Sequence, residues 1–191
     1  MCRVTRYGTR SALAACLLPL LVAAPRPVVA QDGGTGLQAA MARDIAGLER
    51  KYAGLAGAMP PAAWEWRPAD GVRSAGEVLC HVAGANYRIP GFFGVEAPAE
   101  AAAVDAACAV EDGAARRGAV PAALAASFAH ARQAVMSVAD ARLDEGTKLF
   151  GQDTTVRAAM LLYVTHMHEH LGQLVAYART NGVVPPWSTG G

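Results

Sequence analysis

Hydrophobic residues in this chain recur with the period of amphipathic helices. From Leu37 to Leu55, apolar side chains return every three or four positions, and most charged side chains fall between them. This spacing predicts a first helix of about five turns, which ends at Met59-Pro60-Pro61. Similar spacing predicts three further helices: Ser74 to Ile89, Pro121 to Val138, and Asp153 or Thr154 to about Thr180.

Local signals refine these boundaries. Ser74 and Glu77 have the spacing of a capping box, and Pro121 suits the first turn of the third helix. A short helix is expected around Ala99 to Cys108, and residues 144–152 read as a polar loop. No stretch alternates with period two. The prediction is an all-α, four-helix bundle over residues 36–180, followed by an irregular tail over residues 181–191.

The first 30 residues have the pattern of a secretory signal peptide. Three arginines precede the apolar run Ala12 to Ala24, and Val28-Val29-Ala30 offers the small residues at which a signal peptidase cuts. A membrane anchor is the alternative, but the run is short for a membrane span and is stopped by Pro25-Arg26-Pro27. We therefore expect cleavage after residue 30, a flexible start over residues 31–35, and an exported protein, periplasmic or secreted, without a stable membrane span.

Charge and composition narrow the possible partners. Cleavage would remove four arginines and no acidic residue, which leaves 13 basic side chains, from the 17 of the whole chain, against 16 acidic ones. A mature chain with a net charge near −3 and no basic patch does not suggest a nucleic-acid partner. A small-molecule substrate of unknown identity is the expected partner.

Two cysteines, Cys80 and Cys108, lie outside the leader. In an oxidising, exported compartment such a pair is a candidate disulfide. The alternatives are two unpaired small residues of the core, or a Cys80 thiolate that binds a metal. Sequence alone does not show whether the two α-carbons come close enough to be bridged.

The most distinctive chemistry lies in the last predicted helix. His166 and His170 are four residues apart, so their side chains lie roughly 40° from each other on one helix face, while His168 points away. Tyr163 and Tyr177 continue that face, which is the one a bundle helix buries. Neutral imidazole is a common metal ligand, and two at this spacing can chelate one divalent ion.

A third ligand is expected from the second helix. His81 lies within the apolar side of that helix, although a single histidine there is more often a core residue than a ligand. Glu77, one turn earlier, could add a carboxylate, but its capping role accounts for it. Gln173, one turn beyond His170, could orient a ligand or fill the core. His130 falls off the apolar stripe of the third helix and is expected in solvent.

Together these residues resemble the DinB-like (DinB/YfiT) superfamily. The resemblance rests on the runs Glu77 to Val82 and His166 to Arg179, with Trp66-Arg67-Pro68 ahead of the second helix. It implies a four-helix bundle, often dimeric, in which His81, His166 and His170 bind a divalent ion at one end. His168 matches no ligand position. The export signal departs from many relatives and speaks against a function that needs cytosolic thiol cofactors.

Three nitrogen ligands leave a coordination position open, as in catalytic zinc sites. The leading hypothesis is an exported metal-dependent enzyme, of the hydrolase or thiol-transferase type that the resemblance suggests. Zinc or nickel are the first candidate ions, with iron, copper and manganese as alternatives. The second hypothesis is a non-catalytic bundle in which the ion is structural, and the third treats the three histidines as metal-free core groups.

Overall fold

The computed structural model describes residues 36–188. Within that range the chain is mostly helical, with six α-helices and a single β-hairpin. The helices are α1 (Leu37–Ala58), α2 (Pro61–Glu65), α3 (Ala75–Arg88), α4 (Ala101–Cys108), α5 (Gly113–Met136) and α6 (Val156–Thr180), and the strands are β1 (Gly146–Leu149) and β2 (Gln152–Thr155). The predicted signal peptide and flexible start lie outside the described residues.

The first two long helices begin and end as the sequence predicts. α1 stops at Ala58, directly before Met59 and the two prolines. At the start of α3, the Ser74 amide donates to Glu77 Oε2 (2.6 Å) and the Glu77 amide donates to Ser74 Oγ (3.3 Å), which confirms the capping box. The short helix expected near Ala99 to Cys108 is also present, as α4.

The prediction that Pro121 opens the third long helix is wrong. α5 begins eight residues earlier, at Gly113, where Asp112 Oδ1 accepts a hydrogen bond from the Ala115 amide (2.7 Å). Pro121 lies inside the helix, where it leaves one backbone hydrogen bond unmade. Packing of the α5 face against α1 and α3 outweighs that loss, since Val120 and Leu124, on either side of the proline, are buried.

The prediction of a polar loop over residues 144–152 is also wrong. β1 and β2 pair antiparallel through this stretch, with Leu149 opposite Gln152. Phe150 (φ 49°) and Gly151 (φ 85°) form the two-residue turn, and positive φ at both positions matches the right-handed twist of a hairpin. The helix cap is Thr155, whose Oγ1 accepts from the Ala158 amide (3.3 Å).

Four long helices enclose the core. α1 and α3 each pack against both α5 and α6, so the bundle alternates one early helix with one late helix. Two buried tyrosines fix α6 in place: Tyr52 donates from α1 to the Met167 carbonyl (2.6 Å), and Tyr163 donates to the Asn86 carbonyl of α3 (2.8 Å). These bonds satisfy hydroxyls that would otherwise be costly to bury, and they hold α6 against α1 and α3.

No helix within residues 36–188 has both the length and the apolar character needed to cross a membrane. After α6, residues 181–185 form a turn and an irregular stretch, and a 3-10 turn follows at Pro186–Ser188.

Candidate metal centre

Three histidines converge where α3 packs against α6. His81 comes from α3, and His166 and His170 come from α6, one turn apart. One nitrogen from each ring can be chosen so that all three lie within 4.8 Å of one another, and the Nε2 atoms of His81 and His166 are 3.1 Å apart. Among residues 36–188 this is the one group of histidine, cysteine or carboxylate side chains placed to hold a metal ion together.

The surrounding packing explains why these rings meet. On α3, Leu79 and Val82 are fully buried beside His81, and on α6 Met167 is fully buried beside His166. The histidines lie at the edge of these buried faces and are themselves half-buried. The core therefore fixes the helix positions, while one side of each imidazole stays near solvent.

His81 and His166 are held in the neutral form that binds metals. Partial burial, joined by the positive charge of Arg73 and by the neighbouring histidines, lowers the pKa of His81 to about 4. Burial, followed by the nearby His170, lowers the pKa of His166 to about 4 as well. Both imidazoles are thus unprotonated at neutral pH, with a nitrogen lone pair available to a cation.

His170 is held in a defined orientation by its own helix. Its Nδ1 lies 2.8 Å from Gln173 Oε1, and the Gln173 amide nitrogen donates to the Tyr177 hydroxyl (2.8 Å). Since the Gln173 oxygen can only accept, Nδ1 carries the proton and Nε2 keeps its lone pair. Trp66 packs edge-on against Tyr177, with ring centroids 5.1 Å apart.

The donor set fits a divalent ion. Two imidazole nitrogens bound to one tetrahedral ion are roughly 3.3 Å apart, close to the 3.1 Å observed for His81 and His166. The same two Nε2 atoms could also share one proton in a hydrogen bond, so the distance fits an ion without requiring one.

The remaining histidines lie away from this centre. His168 is exposed, as predicted, and its Nε2 is 2.7 Å from Asp44 Oδ2. The prediction that His130 lies in solvent is wrong: it is half-buried, it stacks on Tyr87 with ring centroids 4.8 Å apart, and burial lowers its pKa. The Tyr87 ring shields His130 from solvent, although His130 lies off the apolar stripe of α5.

Cys80, next to His81 in sequence, is paired with Cys108 of α4 in a disulfide whose Cα atoms are 5.8 Å apart. Its sulfur is therefore not a thiolate that could bind a metal. Glu77 is occupied as well, by the Ser74 amide and by an ion pair with Arg67 (3.2 Å), and these contacts lower its pKa. Neither residue joins the histidine cluster.

Of the two roles expected for Gln173, orienting a ligand or filling the core, its hydrogen bond to His170 fits the first. Sequence reasoning missed a cleft beside His81 whose walls carry Arg73, Arg88 and Arg116. The sequence offered one signal for this cleft: Arg88 follows Gly84 by one helical turn and His81 by two, which places all three on one side of the second helix.

Comparison with known proteins gives a consistent picture of the fold. A family model described as the DinB superfamily matches residues 45–174. The structure is similar to the crystal structure of a DinB-like protein from Bacillus subtilis, at 16% identity and a TM-score of 0.57, over 76% of this chain and 93% of that one. It is also similar to a DinB-like protein from Bacillus cereus, at 15% identity and a TM-score of 0.52, over 78% of this chain and 95% of that one. A comparison with curated proteins finds no match.

Proposed function

This chain belongs to the DinB superfamily, and on that premise we propose that it is an exported, metal-dependent enzyme. His81, His166 and His170 bind one divalent ion. The observation that carries the proposal is the approach of three imidazoles from two helices, with two of their nitrogens 3.1 Å apart. Zinc or nickel is the expected ion, with iron, copper and manganese as alternatives, because imidazole suits several transition metals.

The centre keeps a coordination position open. No fourth histidine, cysteine or carboxylate within the described chain joins the three nitrogens. Such an ion supplies Lewis acidity toward a water molecule or toward the oxygen or thiol of a substrate. Hydrolase or thiol-transferase chemistry on a small molecule follows from that property.

The chain's own residues orient the centre. Gln173 hydrogen-bonds Nδ1 of the His170 ring and so fixes the orientation of that ring, and Tyr177 holds Gln173. The cleft of about 250 Å³ that His81 lines gives a small molecule a path to the centre. This placement supports catalysis over a sealed structural site.

Export is supported by two independent features. The leader pattern of residues 1–30 is one, and the bond between Cys80 and Cys108 is the other, because disulfides persist mainly in oxidising compartments. Mass spectrometry of the periplasmic or secreted protein should give a mature start near Gln31. A product that retains Met1 would contradict export.

A structural ion is the second candidate function. It is favoured by the position of the histidines, which tie α3 to α6.

A homodimer, which the superfamily resemblance suggests, is compatible with either function. Analytical ultracentrifugation of the mature protein tests it. A sedimentation coefficient that matches a single chain at all concentrations would exclude it.

Cobalt substitution separates the catalytic from the structural centre. We expect azide to change the visible spectrum of the cobalt-loaded protein, because an open position accepts an exchangeable ligand. A His168→Ala variant, which alters an exposed histidine outside the cluster, should behave like the wild type. A spectrum that azide leaves unchanged would indicate a closed, structural site and would contradict an enzyme.

A further inference from the structure

The cleft beside the metal centre has an unusual charge. It lies along α3 and α4 and shares His81 with the histidine cluster. Its volume of about 250 Å³ is equivalent to roughly eight water molecules, so it suits a small molecule and not a polymer. The charged and titratable side chains that line it are Arg73, Glu77, His81, Arg88, Asp105 and Arg116.

Two of the three arginines lack a protein partner. Within residues 36–188, Arg73 and Arg88 make no ion pair and no hydrogen bond through their guanidinium groups. Both are nevertheless close enough to His81 for their positive charges to act on its imidazole. Arg116 differs, because its guanidinium binds both carboxylate oxygens of Glu65 at 2.6 Å.

A glycine keeps Arg88 against the cleft wall. Gly84 lies one turn before Arg88 on α3, and a Cβ at that position would be 2.7 Å from both terminal nitrogens of the guanidinium. Any larger residue would displace the arginine. The helix face that runs from Glu77 through Cys80 and Gly84 to Arg88 therefore forms a continuous wall, which the bond between Cys80 and Cys108 fastens to α4.

The acidic groups of the cleft do not neutralise these two arginines. Glu77 is held by the Ser74 amide and by Arg67. Asp105 is an exposed side chain of α4 that makes no ion pair within the described residues. Two unpaired guanidinium groups thus face one solvated carboxylate.

We propose that this cleft is the substrate site, and that Arg73 and Arg88, which line it from the two ends of α3, bind anionic groups of the substrate, carboxylate or phosphate, while its reacting end meets the histidine cluster at His81. This inference rests on the proposed metal-dependent function. A guanidinium group offers planar, paired donors that match both kinds of oxyanion.

The test uses the mature, zinc-loaded protein with two probes, inorganic phosphate and succinate, and follows binding by NMR titration of its backbone amides. The phosphate and the carboxylate arms show which oxyanion the site prefers. Replacing both arginines, as Arg73→Ala/Arg88→Ala, should weaken binding of the preferred probe about tenfold or more, since charged hydrogen bonds are lost. Gly84→Ala should also weaken it, because the methyl group displaces Arg88. Asp105→Asn should strengthen it.

A matched control removes two positive charges elsewhere. Arg50 and Arg179 do not line the cleft, so Arg50→Ala/Arg179→Ala should bind the probe as the wild type does. Equal affinity in the cleft variant and in this control would overturn the inference, as would a wild type that binds neither probe. Zinc content is measured in every sample. A wild type that does not retain zinc would refute the proposed function. A cleft variant that retains zinc and binds the anion as tightly as the wild type would refute only the anion site.

Discussion

The Nδ1 atom of His170 lies 2.8 Å from the Oε1 atom of Gln173, one turn further along α6. Because an amide oxygen only accepts, this contact places the imidazole proton on Nδ1 and leaves Nε2 for the shared centre. The Tyr177 hydroxyl, which accepts from the other end of the same amide, fixes the direction of the side chain. A single helical segment thus carries both a candidate ligand and the group that orients it.

Removing this contact should weaken metal binding. We expect Gln173→Ala to lower the affinity for zinc by roughly 10- to 100-fold, the range found when such orienting partners are lost. Competition with a chromophoric chelator measures the affinity. Gln173→Glu, whose carboxylate can also accept from Nδ1, is the matched control and should keep most of the affinity. Equal losses in the two variants would contradict the orienting role.

The metal-free protein should lose stability in mild acid. The unfolded chain protonates His81 and His166 near their ordinary pKa of 6.5, while the folded chain holds both at a pKa of about 4. Between these values the unfolded state binds more protons, so the free energy of unfolding falls as the pH decreases from about 6.5 toward 4. Urea unfolding of the metal-free protein at pH 7.5, 6 and 5 measures this dependence.

A double substitution isolates the two histidines. His81→Asn/His166→Asn replaces both imidazoles with amides that do not titrate, so the loss of stability between pH 6.5 and 5 should be smaller than in the wild type. His130, whose pKa is also lowered by burial, is present in both proteins and contributes equally. The same pH dependence in both proteins would show that the imidazoles are not held neutral by the fold.

The bond between Cys80 and Cys108 should stabilise the bundle without contributing to metal binding. It closes a segment with a sequence separation of 28 residues, and a crosslink of this kind typically stabilises by about 2–4 kcal/mol. Cys80→Ser/Cys108→Ser should lose about that much free energy of unfolding in urea and retain its zinc. Reduced wild type should behave like this variant. An unfolding free energy unchanged by both treatments would contradict a stabilising disulfide.

Much of the fold could be predicted from sequence because its long helices follow a simple rule. Leu37 to Ala58 and the Ser74 capping box follow from apolar spacing and local hydrogen bonding. The errors arose where local signals compete with packing. Pro121 resembles a helix start, yet α5 continues through it because Val120 and Leu124 pack in the core. The hairpin has strands of only four residues, too short to show a period of two.

The candidate site could likewise be predicted where it depends on local spacing, and not where it depends on tertiary packing. His166 and His170 could be paired from their spacing alone, because both lie on one helix. His81 could be joined to them only as a hypothesis from its apolar surroundings and from family resemblance, since its meeting with α6 depends on tertiary packing. The arginine cleft could be predicted only in part, because Arg88 shares a face of α3 with His81, whereas α4 closes the cleft through tertiary packing.

Elemental analysis of the mature protein tests the central claim most directly. Wild type and His168→Ala, which alters the exposed histidine paired with Asp44, should each contain close to one divalent ion per chain after dialysis. His170→Ala should contain little or none, because two nitrogens chelate too weakly to retain the ion. Equal metal content in His170→Ala and the wild type, or a wild type without metal after loading, would contradict a centre built from His81, His166 and His170.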